Sequence, residues 1–73
     1  MSTTTQKHNS MSPIEFNMIW NSIIKNGKKH PEGGYIHQGV RTMVTSGNNR
    51  KLYSTISNIS YVEIGKKIHT YGA

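Results

Sequence analysis

The chain has 73 residues, nine Lys plus Arg against three acidic residues, no cysteine, and a net charge of +6 at neutral pH. A chain of that length makes one domain at most and buries only roughly 60% of the surface its unfolded form exposes. Without cysteine there are no disulfides or thiolate metal sites to act as staples, so tight packing or a partner must replace them. The longest unbroken apolar run, Met18-Ile19-Trp20, is far too short to span a bilayer, and the first residues lack the apolar core of a signal peptide. The expectation is a soluble, cytosolic protein with no membrane partner.

Residues 1–10 are Ser, Thr, Gln, Lys, His and Asn after the initiator, a composition that cannot offset the entropy of ordering. They read as a disordered tail, leaving residues 11–73 as a single small domain. The strongest local signal follows. Ser12 has the position and chemistry of an N-cap, Glu15 stands three residues on as in a capping box, and Pro13 falls at the first helical position. Met11 and Phe16 have the spacing of a hydrophobic staple. Phe16, Ile19, Trp20 and Ile23 recur at i, i+3, i+4 and i+7, with Ile24 widening the stripe and Asn17, Asn21 and Lys25 on the other side. Asn26-Gly27 predicts a left-handed terminator, with Lys25, Lys28 and Lys29 at the negative end of the helix dipole. Trp20 reads as the core anchor, while Ile14 and Met18 lie off the main stripe and form a candidate exposed apolar patch.

The segment from Gly27 to Gly34 reads as a loop, punctuated by Pro31 and three glycines and carrying the densest positive cluster, Lys28-Lys29-His30. Tyr35 to Thr45 shows broken alternation and predicts a strand with a bulge or close backbone approach near Gly39. Ser46-Gly47-Asn48-Asn49 is a turn cluster, and Arg50 to Ile56 alternates again, so the two runs predict a β-hairpin. With Val40, Val44, Leu52 and Ile56 toward the helix, Arg41, Lys51 and Tyr53 face outward, joined by Tyr35 and His37 if the alternation holds through Gly39. Ser60 to Glu63 repeats the capping-box spacing, favouring a short helix ending near Lys66 and Lys67, although Tyr61–Ile64 and Lys67–Tyr71 around Gly65-Lys66 equally fit a second hairpin. The expected fold class is α+β: the N-terminal amphipathic helix packed on an antiparallel β-hairpin, with a short C-terminal helix or additional strand.

The residue inventory argues against catalysis. There is no Asp, and Glu15 and Glu63 are better used as capping partners, which leaves Glu32 as the one free carboxylate. No cysteine nucleophile, no Gly-x-Ser-x-Gly elbow and no phosphate loop is present. His30, Glu32 and His37 match no common metal-ligand spacing. Neither a cofactor nor a metal is expected. The positive balance points to a polyanion, and nucleic acid, DNA or RNA, is the commonest. Phosphate contacts are expected from Lys28, Lys29, Arg41, Arg50 and Lys51, with Lys66 and Lys67 along the rim and base stacking on Tyr53. No ribonucleoprotein motif or zinc knuckle accompanies them. The alternative is a small regulator or inhibitor that docks on an acidic host protein through its apolar and basic surface, and the same patch could make a homodimer. The richness in Ile, Asn, Lys and Tyr reflects AT-rich codons and points toward a phage or a low-GC bacterium.

Overall fold

The computed structural model describes residues 11–72, so the tail expected over residues 1–10 lies outside the described residues. One helix, α1 (Pro13–Asn26), is followed by six strands: β1 (Lys28–Lys29), β2 (Tyr35–His37), β3 (Val40–Val44), β4 (Arg50–Ser54), β5 (Ile59–Ile64) and β6 (Lys67–Gly72). Each strand pairs antiparallel with its neighbours in sequence, giving one sheet in the order β1-β2-β3-β4-β5-β6. This overturns the expected architecture of a helix on one hairpin with a short C-terminal helix or additional strand. The hairpin is the centre of a six-stranded meander, and α1 is the one helix among the described residues.

The helix begins as its sequence dictates. Ser12 is extended (φ −78°, ψ 157°), its Oγ accepts from the Glu15 N–H at 3.1 Å, and Pro13 occupies the first turn. Glu15 makes no return bond among the described residues, so only half of the capping box forms. The C-terminus differs from expectation. Gly27 is not left-handed but extended, with φ −85° and ψ −179°. A Cβ there would lie 2.6 Å from both the Ile23 and the Ile36 carbonyl oxygens. Glycine is needed for close approach, letting the chain leave the last turn straight into β1.

The additional strands come from a disguised turn at Gln38-Gly39, from Lys28-Lys29, and from the hairpin that Gly65-Lys66 also allowed. Tyr35 to Thr45 is two strands joined at Gln38-Gly39, both with positive φ (52° and 82°), as a type I′ turn requires. Glutamine seldom adopts that conformation, so the pair resembled a bulge rather than a turn. At Gly39 the constraint is the positive φ itself, since the nearest atom a Cβ would meet, Ile56 Cδ1, is the tip of an exposed side chain that can turn aside. The turn reverses the chain, and His37 comes to lie opposite Val40, on the helix side with Tyr35 instead of outward. Lys28 and Lys29 pair with Ile36 and Tyr35 as a short strand, not a loop. Residues 60–69 are not helical. A helix there would carry Gly65 in its interior and three β-branched residues, Val62, Ile64 and Ile68. The segment folds instead as a hairpin around Gly65 (φ 63°) and Lys66.

The core is Phe16, Ile23 and Leu52, with Met11, Ile19, Trp20, Tyr35, Val40, Tyr61 and Ile68 packed against it. Trp20 is half-buried and stacks on Phe16 with ring centroids 6.2 Å apart, so Phe16 rather than Trp20 is the anchor. Val40 and Leu52 reach this core, but Val44 is exposed and Ile56, in the turn after β4, is 80% exposed. Thr42 is buried, and its Oγ1 accepts the Tyr35 N–H at 2.9 Å, which satisfies both polar groups. The helix touches β2 and β3 on one side and β6 on the other, so the sheet bends around it. Its inner face is closed by α1. Its outer face carries no packed element among the described residues.

Candidate functional site

Cross-strand register builds the outer face directly, because residues opposite one another in a ladder share a face. Lys28, Ile36, Arg41, Tyr53, Ser60 and Tyr71 form one row across all six strands. Met43, Lys51, Val62 and His69 form a parallel row, and Ile64 and Lys67 lie beyond it. Neighbouring strands stand about 4.8 Å apart and alternate residues along a strand about 6.7 Å apart, so the rows are spaced by one side-chain width. Val62 is buried at the centre of the second row, between Lys51 and His69, and gives the face an apolar floor.

The expected site residues divide between the two faces. Arg41, Lys51 and Tyr53 come together on the outer face, with Lys28 at the far end of the first row. Lys29 is opposite Tyr35 and thus on the other side. Arg50 is on the inner face, apart from Arg41, Lys51 and Tyr53. Lys67, His69 and Tyr71 share the outer face with those three, although only Lys67 was expected nearby, as a rim residue. Their own alternation, Lys67-Ile68-His69-Thr70-Tyr71, is the signal that identifies the outward positions once β6 is known to be a strand.

Arg50 is committed to structure. Its Nε and Nη2 donate to Glu63 Oε1 and Oε2 at 2.8 and 2.9 Å, and its Nη1 donates to Asn17 Oδ1 at 3.2 Å. The guanidinium also lies 5.3 Å from the Phe16 ring centroid and 5.2 Å from that of Trp20. This clamp ties β4 and β5 to the helix. The hydrogen bonds from Arg50 hold the Glu63 carboxyl below the ordinary carboxylate range, and the same pairing raises Arg50.

Arg41 is the opposite case. Its side chain is only 12% exposed, yet it makes no hydrogen bond among the described residues. Its Nε is buried without an acceptor, and its Nη1 stands 3.8 Å from Glu32 Oε1, beyond hydrogen-bond distance. Tyr53, next to it in the row, is held at the rim by its hydroxyl, which donates to Asn58 Oδ1 at 2.7 Å. Tyr71 is 50% exposed.

The acids lie away from the lysines of this face. Glu15 is on the helix, Glu63 is on the inner face with Arg50, and Glu32 is in the β1–β2 loop beside Arg41. Lys28, Lys51 and Lys67 have no ion-pair partner among the described residues. Elsewhere, a cleft of about 450 Å³ opens where β2 leaves β3, with Trp20, Ile24, Tyr35, Arg41 and Val44 among its walls. The His30 Nδ1 accepts the Glu32 N–H at 3.0 Å within the loop, while His37 is on the inner side. Among the described residues no group of three His, Asp or Glu side chains is placed to hold a metal. No helix among them is long and apolar enough to cross a membrane. Compared with protein-family models, with curated proteins and with solved structures, the chain matches none.

Proposed function

We propose that this protein is a non-enzymatic nucleic-acid-binding domain that contacts phosphates through the outer face of its sheet. The observation that carries the reading is the separation of charge. Glu63 is tied to Arg50, Glu15 is on the helix and Glu32 is in the β1–β2 loop, whereas Lys28, Lys51 and Lys67 share one face with no carboxylate opposite them in the ladder. Unpaired cations on a common surface neutralise a polyanion and release its counterions. Arg50, saturated by Glu63 and Asn17, is removed from the contact set, as is Lys29. The test is an electrophoretic shift series with DNA and RNA at two salt concentrations, comparing the parent with Lys51→Ala/Lys67→Ala and with Lys25→Ala on the helix. The double variant should bind more weakly, with a log–log salt slope shallower by roughly 1.4 to 1.8, while Lys25→Ala should match the parent. Binding by the double variant that equals the parent's would remove the outer face as the site.

A second reading has its own observation. Ile14 and Met18, one turn apart on α1, are 74% and 65% exposed. Such a pair suits contact with another protein, either an acidic host protein regulated by this one or a second copy. That contact should persist at salt concentrations that abolish phosphate binding and be lost in Ile14→Ser/Met18→Ser.

A further inference from the structure

We infer that the outer face takes single-stranded rather than duplex nucleic acid, with bases seated on Tyr53 and Tyr71. The inference rests on the phosphate-binding reading above and names the form of the ligand. Tyr53 and Tyr71 stand in the same row on either side of Ser60, two strands and so about 10 Å apart. The small Ser60 side chain leaves a gap between the rings, so each can present a face instead of packing on the other. Rings on an open sheet stack on bases only when the bases are unpaired, because a duplex keeps its base faces inside its own stack.

The surroundings match the two parts of a nucleotide. Lys51 and His69 are in the adjacent row, about 6.7 Å along the strands from the tyrosines, with Lys67 one further step away on β6. A strand lying across β4, β5 and β6 therefore meets aromatic groups on one side of its path and Lys51 and Lys67 on the other. Arg41 closes the aromatic row next to Tyr53, and its guanidinium is without a hydrogen bond among the described residues. A base on Tyr53 brings acceptor atoms to that end of the row, which gives an unpaired donor group something to meet. Tyr53 keeps its ring position through the bond to Asn58, so part of the ordering cost is met before binding.

Fluorescence anisotropy of the full chain with labelled oligothymidylate of about eight nucleotides, and with a duplex of equal length, tests this. The parent should bind the single strand at least about tenfold more tightly. Tyr53→Leu and Tyr71→Leu should each weaken single-strand binding about 5- to 100-fold without changing its salt slope or the duplex affinity. Tyr53→Phe, which keeps the ring and loses the bond to Asn58, should stay near the parent, separating stacking from the tether. Lys51→Ala should flatten the slope for both ligands. If the leucine variants, shown to be folded by circular dichroism, bind the single strand like the parent while Lys51→Ala weakens both ligands, the stacking inference falls and the cationic face stands. Equal affinity of the parent for duplex and single strand overturns the inference as well. No binding of either ligand at low salt overturns both readings.

Discussion

The two faces of the sheet treat arginine in opposite ways. On the inner face Arg50 has a carboxylate, an amide and two aromatic rings within reach, and every contact joins one element to another. On the outer face Arg41 is nearly as enclosed as a core residue yet makes no hydrogen bond among the described residues. A satisfied cation at a helix–sheet junction holds the fold together. An enclosed cation with unused donors costs stability and is tolerated where something outside the fold uses it. The contrast separates an arginine that joins elements of the fold from one that forms no hydrogen bond among the described residues.

Five substitutions and one titration can break that contrast, from the largest effect down. Phe16→Ala, at the centre of the inner face, should cost about 3–5 kcal/mol in urea unfolding and could unfold so small a domain. Arg50→Ala should cost about 1–3 kcal/mol, since it strands Glu63 and removes packing from Phe16 and Trp20. A double-mutant cycle with Glu63→Gln measures the share owed to the pair. Arg41→Met should leave stability unchanged or raise it by about 1 kcal/mol, because a shape-compatible apolar group replaces a desolvated charge. A loss comparable to that of Arg50→Ala would erase the distinction between the faces. Lys51→Ala should change stability by no more than ~0.5 kcal/mol while weakening polyanion binding.

Acid should weaken the inner face. Arg50 makes the folded state hold the Glu63 proton less tightly than the unfolded chain does, so its carboxyl titrates lower when folded. The stabilisation is fully present above the unfolded value, about pH 4.3, and is lost as the pH falls through the lower folded one. Thermal midpoints measured from about pH 6 down to 3 should fall more steeply for the parent than for Glu63→Gln.

The helix was legible because its instructions are local: a Ser12 cap, Pro13 behind it, and apolar residues at helical spacing. Arg41, Lys51 and Tyr53 were legible as one group because alternation within β3 and β4 survives in the fold. The rest depended on three glycines. Gln38-Gly39 reverses the chain without the usual Asn-Gly signal, which turned one strand into two and moved Tyr35 and His37 to the other face. Gly27 works through close approach, so it resembled a cap. The Gly65-Lys66 hairpin was legible only as an alternative to the Ser60–Glu63 capping box, and the reach of Glu63 to Arg50, thirteen residues back in the chain, shows why the carboxylate is not used at Ser60. Long-range partners of this kind decide between helix and strand where local patterns permit both. They also show what sequence could not about Arg50, whose donors are taken up by Glu63 and Asn17.

The meander has a kinetic corollary. Because each strand finds its mate immediately before or after it, the ladder can zip up from any turn without waiting for distant segments to meet, and little loop entropy is spent on each step. Such a topology should refold faster than β proteins of equal size with Greek-key crossings, with α1 docking as the event that makes the collapse cooperative.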